Sequence, residues 1–192
     1  MENPTKITWL LYHQPVDLFL RTANSFAKEI NKLTNGRIEV EISTLDDYCN
    51  ENYDGKLVDP IALMEKGEVH MTQTQVGYVG HWGAEDFYAL EMPYLFDSHD
   101  HATRVLEGEI GENLLNSLAA TTPVRGLAFT YSGGFRCIAS SKPITSAADL
   151  EGLEMTVKTN PVFTDTANAF GCNTRALTDF QYHDYLEELR DP

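Results

Sequence analysis

The chain has 192 residues, and its 14 lysines and arginines stand against 29 aspartates and glutamates, a formal net charge of -15 at pH 7. Such a charge repels phosphate backbones and anionic membrane surfaces, which excludes nucleic acid as a partner. No apolar run approaches the roughly 20 residues that span a bilayer, which excludes direct membrane insertion.

The composition is that of a soluble globular protein. The opening MENPTK lacks the basic and apolar regions of a secretory signal, so either a signal has been replaced by Met1 or the chain is not exported. Cys49, Cys137 and Cys172 form no CxxC pair, which argues against a disulfide framework and a structural zinc site, while one disulfide stays open.

Lys6 to Tyr12 (KITWLLY) reads as a buried strand. Pro15 then opens a helix whose apolar side is Phe19, Ala23, Phe26, Ala27, Ile30 and Leu33, stopped at Asn35-Gly36. Ile38, Val40 and Ile42 alternate with charged residues as a half-buried strand does. This strand, helix, strand order builds parallel sheets. A polar loop is expected from Asp46 to Gly55, a helix from Pro60 to Lys66, and a strand from Val69 to Thr72.

A long helical pattern starts at Ser98, a candidate N-cap, and runs to Leu118, with Gly108 and Gly111 expected to break it in two. Arg125 to Tyr131 and Phe135 to Ser140 read as strands on either side of Ser132-Gly133-Gly134, the candidate hinge, since paired glycines tolerate backbone rotation. Ser146 to Asp149 has the spacing of a capping box. A strand over Leu153 to Thr159, a helix over Pro161 to Phe170, an extended Thr174 to Leu177 and a helix over Asp179 to Leu189 complete the pattern. The expectation is an α/β protein with a first lobe over residues 1–132 and a second over 133–192.

Six runs fall in one order along the chain: Leu63 to His70 (LMEKGEVH), Leu90 to Phe96 (LEMPYLF), Tyr131 to Arg136 (YSGGFR), Lys142 to Ile144 (KPI), Asp149 to Leu153 (DLEGL) and Asn160 to Val162 (NPV). In this order and spacing the chain resembles the extracytoplasmic solute-binding proteins of TRAP transporters, often called the dicarboxylate-binding family. The resemblance implies a periplasmic-binding-protein-like fold of two α/β lobes that close on a ligand in a cleft. It also implies a periplasmic binder, not an enzyme, that hands a small carboxylate to TRAP membrane permease subunits. Proteins of that family continue well past the point where this sequence stops, so the second lobe is expected to be incomplete.

Arg136 follows the hinge, and a guanidinium grips a carboxylate through two parallel charge-assisted hydrogen bonds, so it is the expected anchor. Against a charge of -15, an anionic ligand needs such a local cation. The resemblance places a second arginine where this chain has Thr156. Because strand side chains alternate, Lys158 shares the face of Thr156 and is a candidate for the missing charge. A neutral or less acidic ligand, or lost transport function, are the other readings of Thr156. Asn160 opens a helix, where it either caps only or also faces an anion.

Ligands gather at the carboxyl ends of parallel strands, which brings His13 and Gln14, and then Gln73 and Gln75, into consideration. Tyr78 is expected to wall the cleft together with Trp82 and Phe96, although large aromatics also fill cores. His99-Asp100-His101 begins a helix after Ser98, and residues two apart do not share a helix face, so capping is preferred over a metal or hydrolytic site. GxSxG, HExxH, P-loop and GxGxxG motifs are absent, and no cofactor or metal is expected. The alternative function is a truncated binding-fold module for protein interaction or sensing, including as a homodimer paired through the strand edges of the incomplete second lobe.

Overall fold

Strand β1 (Thr5–Leu11) carries apolar residues on both of its faces because both faces are covered. Leu10 points into a cluster with Leu45, Cys49, Leu63 and Val69, while Trp9 and Leu11 turn the other way onto Phe19 and Ala23. Each fully buried leucine of this kind contributes roughly 1.5–3 kcal/mol. The structure is a computed structural model that describes residues 3–12, 16–134 and 136–178, with Gln181 and Tyr185.

Helix α1 (Val16–Leu33) lays Phe19 and Ala23 on one sheet face, and Trp9 meets Phe26 edge-on at 5.2 Å between ring centroids. Leu33, expected on the same stripe, is exposed. Asn35 and Gly36 have φ of 50° and 76°, and the Gly36 amide donates to the Asn31 carbonyl, a left-handed stop. Strand β2 (Ile38–Thr44) then pairs parallel with β1.

The expected loop after β2 is in fact helix α2 (Leu45–Asn52), whose first turn is closed by the Thr44 hydroxyl accepting from the Asp47 amide. Its apolar face is only Leu45 and Cys49, with Tyr48 beside them, which is too sparse to register in a polar sequence. Helix α3 (Pro60–Glu65), capped by Asp59, leads into the short strand β3 (Met71–Gln73), which pairs parallel with β1 on its other side. The sheet order is β2-β1-β3.

Helix α4 (Val76–His81) and a 3₁₀ segment (Glu85–Glu91) come next, neither of them expected. Ser98 caps α5 (His99–Leu106), and the long helical pattern breaks before α6 (Glu109–Thr121). The stretch is thus broken in two as expected; Gly111 lies in the first turn of α6, and a Cβ there would stand 1.9 Å from the Leu106 carbonyl oxygen, so glycine permits the two helices to follow so closely.

Arg125 to Tyr131 and the described residues of 135–140 form no strand. Propensity supplies a β-prone backbone, but a strand exists only where a neighbour completes the ladder, and Leu127 and Ile138 stay exposed. Strand β4 (Glu154–Lys158), helix α7 (Pro161–Ala169) and strand β5 (Asn173–Leu177) form a parallel crossover. Its core is Leu150, Ala167 and Cys172, with Met155 and Val157 packed against it. The expected helix over 179–189 lies outside the described residues apart from Gln181 and Tyr185. Cys49 and Cys172 are buried and Cys137 is exposed.

Two compact units result, one from residues 1–75 and 115–134, the other from 76–114 and 135–192. The expected first lobe of 1–132 is thus divided. Residues 76–114 fold with the later part of the chain because α4 and the 3₁₀ segment bond to it: His81 to the Thr159 carbonyl and Glu91 to Arg136. Among the described residues, no helix is long and apolar enough to cross a membrane.

Candidate functional site

Glu91 ends the 3₁₀ segment with its side chain only 7% exposed, and a carboxylate so placed needs partners for its charge. Its Oε1 accepts from the Gly77 amide at the start of α4 and its Oε2 from Arg136 Nη2, each at 3.1 Å. The guanidinium of Arg136 is itself 68% exposed and lies over the Phe163 ring with Cζ 4.4 Å from the centroid. The expected anchor is therefore an open cation held on two sides by its own unit.

Asn160 is buried, and its Oδ1 accepts from the Val162 and Phe163 amides to cap α7. A Cβ at Gly77 would lie 2.5 Å from Asn160 Nδ2 and 2.9 Å from Glu91 Oε1. Gly77, Glu91, Asn160, Phe163 and Arg136 thus form one contiguous polar cluster. Beside it, Tyr88 bonds to His81 Nδ1 at 3.0 Å while His81 Nε2 meets the Thr159 carbonyl. Burial pushes the Tyr88 phenol up, with Glu85 adding to the shift, so it stays protonated for that contact.

Met155 and Val157 face the α7 core, so Thr156 and Lys158 share the opposite face of β4, as alternation requires. Thr156 is level with Arg175 of β5, whose guanidinium lies 5.4 Å over the Tyr185 ring. A cation therefore stands beside Thr156 from the neighbouring strand, a placement only the register reveals. Tyr78 sits on α4, edge-on to His81 at 6.0 Å between centroids.

In the other unit, β1 sends the chain to β2 on one side and lies against β3 on the other, which makes the gap beyond β1 and β3 a topological switch point. Gln73 is level with Leu11 at that carboxyl end, and Gln75 follows two residues on. Gln73 Oε1 and Thr74 Oγ1 are buried with no hydrogen bond among the described residues. His13 and Gln14 lie outside the described residues.

His99, Asp100 and His101 open α5, where Ser98 Oγ accepts from the His101 amide and the His101 ring turns to Asp97 and Phe96. Among the described residues no His, Cys, Asp or Glu group of three is placed to hold a metal. A depression between α5 and α6, lined by His101, Arg104, Val105, Glu109 and Ile110, includes none of the expected site residues. Sequence reasoning missed Glu91, Gly77, Phe163 and Arg175; the lone acid in LEMPYLF was the available signal, since a charge among apolar residues must find a partner.

Residues 12–179 match the model of the bacterial extracellular solute-binding proteins, family 7. The chain belongs to this family. Family 7 proteins bind solutes and are not enzymes. Solute-binding protein RD1_1052 of Roseobacter denitrificans is 38% identical over 79% of this chain and 44% of its own length. The C4-dicarboxylate-binding periplasmic protein DctP of Rhodobacter capsulatus is 28% identical over 86% of this chain and 47% of its own.

Among solved structures, the TRAP periplasmic solute-binding protein RD1_1052 with bound L-galactonate superposes with a TM-score of 0.78 at 31% identity, over 98% of this chain and 60% of that one. The Pseudomonas putida F1 protein with bound D-glucuronate gives 0.75 at 28% identity, over 90% of this chain and 54% of that one. The fold is accordingly the periplasmic-binding-protein-like α/β fold of family 7. The chain spans about half the length of the curated relatives it matches.

Proposed function

We propose that this family 7 chain binds a small, hydroxylated organic acid in the periplasm for delivery to TRAP permease subunits, with Arg136 anchoring the carboxylate as two lobes close. The observation that carries this reading is the open guanidinium of Arg136, braced by Glu91 and Phe163. A bidentate carboxylate contact requires a fixed fork, and bracing reduces the side-chain entropy lost on binding. The net charge of -15 makes a braced, open cation the natural place for an anion to land.

Glu91 beside the anchor disfavours a second negative group close by, which supports a monocarboxylate. The unpartnered Gln73 Oε1 and Thr74 Oγ1 at the switch point suit a ligand rich in hydroxyls. L-galactonate and D-glucuronate, held by similar proteins, have that chemistry. Gln75, Tyr78, Thr156, Lys158 and Asn160 remain proposed contacts, as do His13 and Gln14. No observation favours the homodimer or the interaction module.

Titration calorimetry with L-galactonate and succinate tests the proposal. L-galactonate is expected to bind and Arg136→Ala to weaken it by about 10- to 100-fold, the loss of roughly 1.5–3 kcal/mol for a hydrogen bond to a charged group. Unchanged affinity in Arg136→Ala, or a folded protein that binds no organic acid, overturns it.

A further inference from the structure

We infer that Glu91 is a positioning residue for ligand binding: its buried carboxylate holds the Arg136 guanidinium in its receiving orientation and stays bonded to it when the ligand is bound. The inference rests on Arg136 being the anchor and adds a role for a residue that never touches the ligand.

Glu91 is 7% exposed whereas Arg136 is 68% exposed, so the pair is asymmetric: one partner is fixed in the unit and the other projects from it. Three further constraints fix Glu91. Its Oε1 is committed to the Gly77 amide, it is the last residue of the 3₁₀ segment, and the absence of a side chain at Gly77 leaves the space its Oε1 occupies. Only Oε2 is directed to Arg136, at Nη2, and the flat face of the guanidinium is covered by Phe163 at 4.4 Å.

A guanidinium with one edge and one face occupied has lost most of its rotational freedom. The remaining edge can present two parallel N–H groups to a carboxylate without first being ordered. Arginine on a flexible stem carries several rotamers, and without the brace that ordering cost falls on the ligand. Glu91 also compensates the charge of Arg136, so the positive field seen by a ligand is short-ranged and favours a contact ion pair over a loose cloud of counter-ions.

The wild-type protein and Glu91→Gln are compared with L-galactonate as the probe. Glutamine preserves the length and an acceptor for the Gly77 amide but removes the charge that fixes Arg136. Affinity is expected to fall about tenfold with the thermal midpoint little changed, and dicarbonyl modification of Arg136 in the ligand-free protein to accelerate while Arg104 keeps its rate. A crystal structure of wild type with L-galactonate provides a check that needs no variant: Glu91 Oε2 is expected to remain within hydrogen-bond distance of Arg136 while Arg136 contacts the carboxylate. An Arg136 that leaves Glu91 for the ligand overturns the inference. So does a Glu91→Gln protein with wild-type affinity and modification rate. If Arg136→Ala also binds normally, the anchor reading fails and this one with it; if Arg136→Ala loses binding while Glu91→Gln does not, only the positioning role falls.

Discussion

Asp149 shows how far one side chain can organise a turn. Its Oδ2 accepts from the Thr145 amide and hydroxyl and the Ser146 amide at 2.8 Å each, and from the Ser146 hydroxyl at 3.2 Å. The Thr145 amide contributes most to holding the carboxyl at about 2, below its ordinary 3.8. A carboxyl whose folded value is depressed stabilises the fold fully above its unfolded value and loses that contribution as pH falls through the folded one. Urea denaturation is therefore expected to show wild type losing stability between about pH 4 and about pH 2, with Asp149→Asn flatter across that window. Equal slopes for the two proteins would remove Asp149 from the account. Ser146 and Asp149 were legible in the sequence because a capping box is local. The Arg136–Glu91 pair, 45 residues apart, carries no such signature, so the sequence singles out Arg136 as a candidate but not the carboxylate that holds it.

The elements that the sequence made plain are those whose burial is one-sided or complete over many residues: β1, α1, β2, β4 and α7. Those it hid owe their existence to contacts made elsewhere. Helix α2 buries two residues, and α4 is six residues long with Gly77 and Gly80 among its buried positions. Gly77 decides how closely α4 can approach the polar cluster. Alanine in place of glycine ordinarily favours a helix by up to about 1 kcal/mol. Here its Cβ would meet Asn160 Nδ2 and Glu91 Oε1 at 2.5 and 2.9 Å, and both side chains are held by hydrogen bonds, Asn160 through its Oδ1. Overpacking of this kind costs roughly 1–3 kcal/mol, so Gly77→Ala is expected to lower stability in urea denaturation in spite of its better propensity. A stability equal to or above wild type would mean that the cluster gives way easily, and would weaken the picture of Glu91 as a fixed point.

At the scale of the molecule, the backbone passes between the two units at residues 75/76, 114/115 and 134/135. If the proposed closure occurs, these three crossings are where the backbone would accommodate it. The second crossing lies inside the continuous helix α6 (Glu109–Thr121), where rotation is limited to bending. The third follows Gly133 and Gly134, which lie outside regular structure; neither has left-handed φ, and a Cβ at either would meet nothing within 4 Å. Neither φ nor packing requires glycine there, which leaves room for the proposal that these residues allow rotation. Gly134→Ala restricts that freedom without a clash. It is expected to leave stability unchanged or raise it by about 0.4–1 kcal/mol through the unfolded chain, while slowing association with L-galactonate several-fold in stopped-flow measurements. A variant that is more stable and binds at the wild-type rate would count against a turn at this crossing and move the proposed rotation to the crossing at 75/76, between β3 and α4.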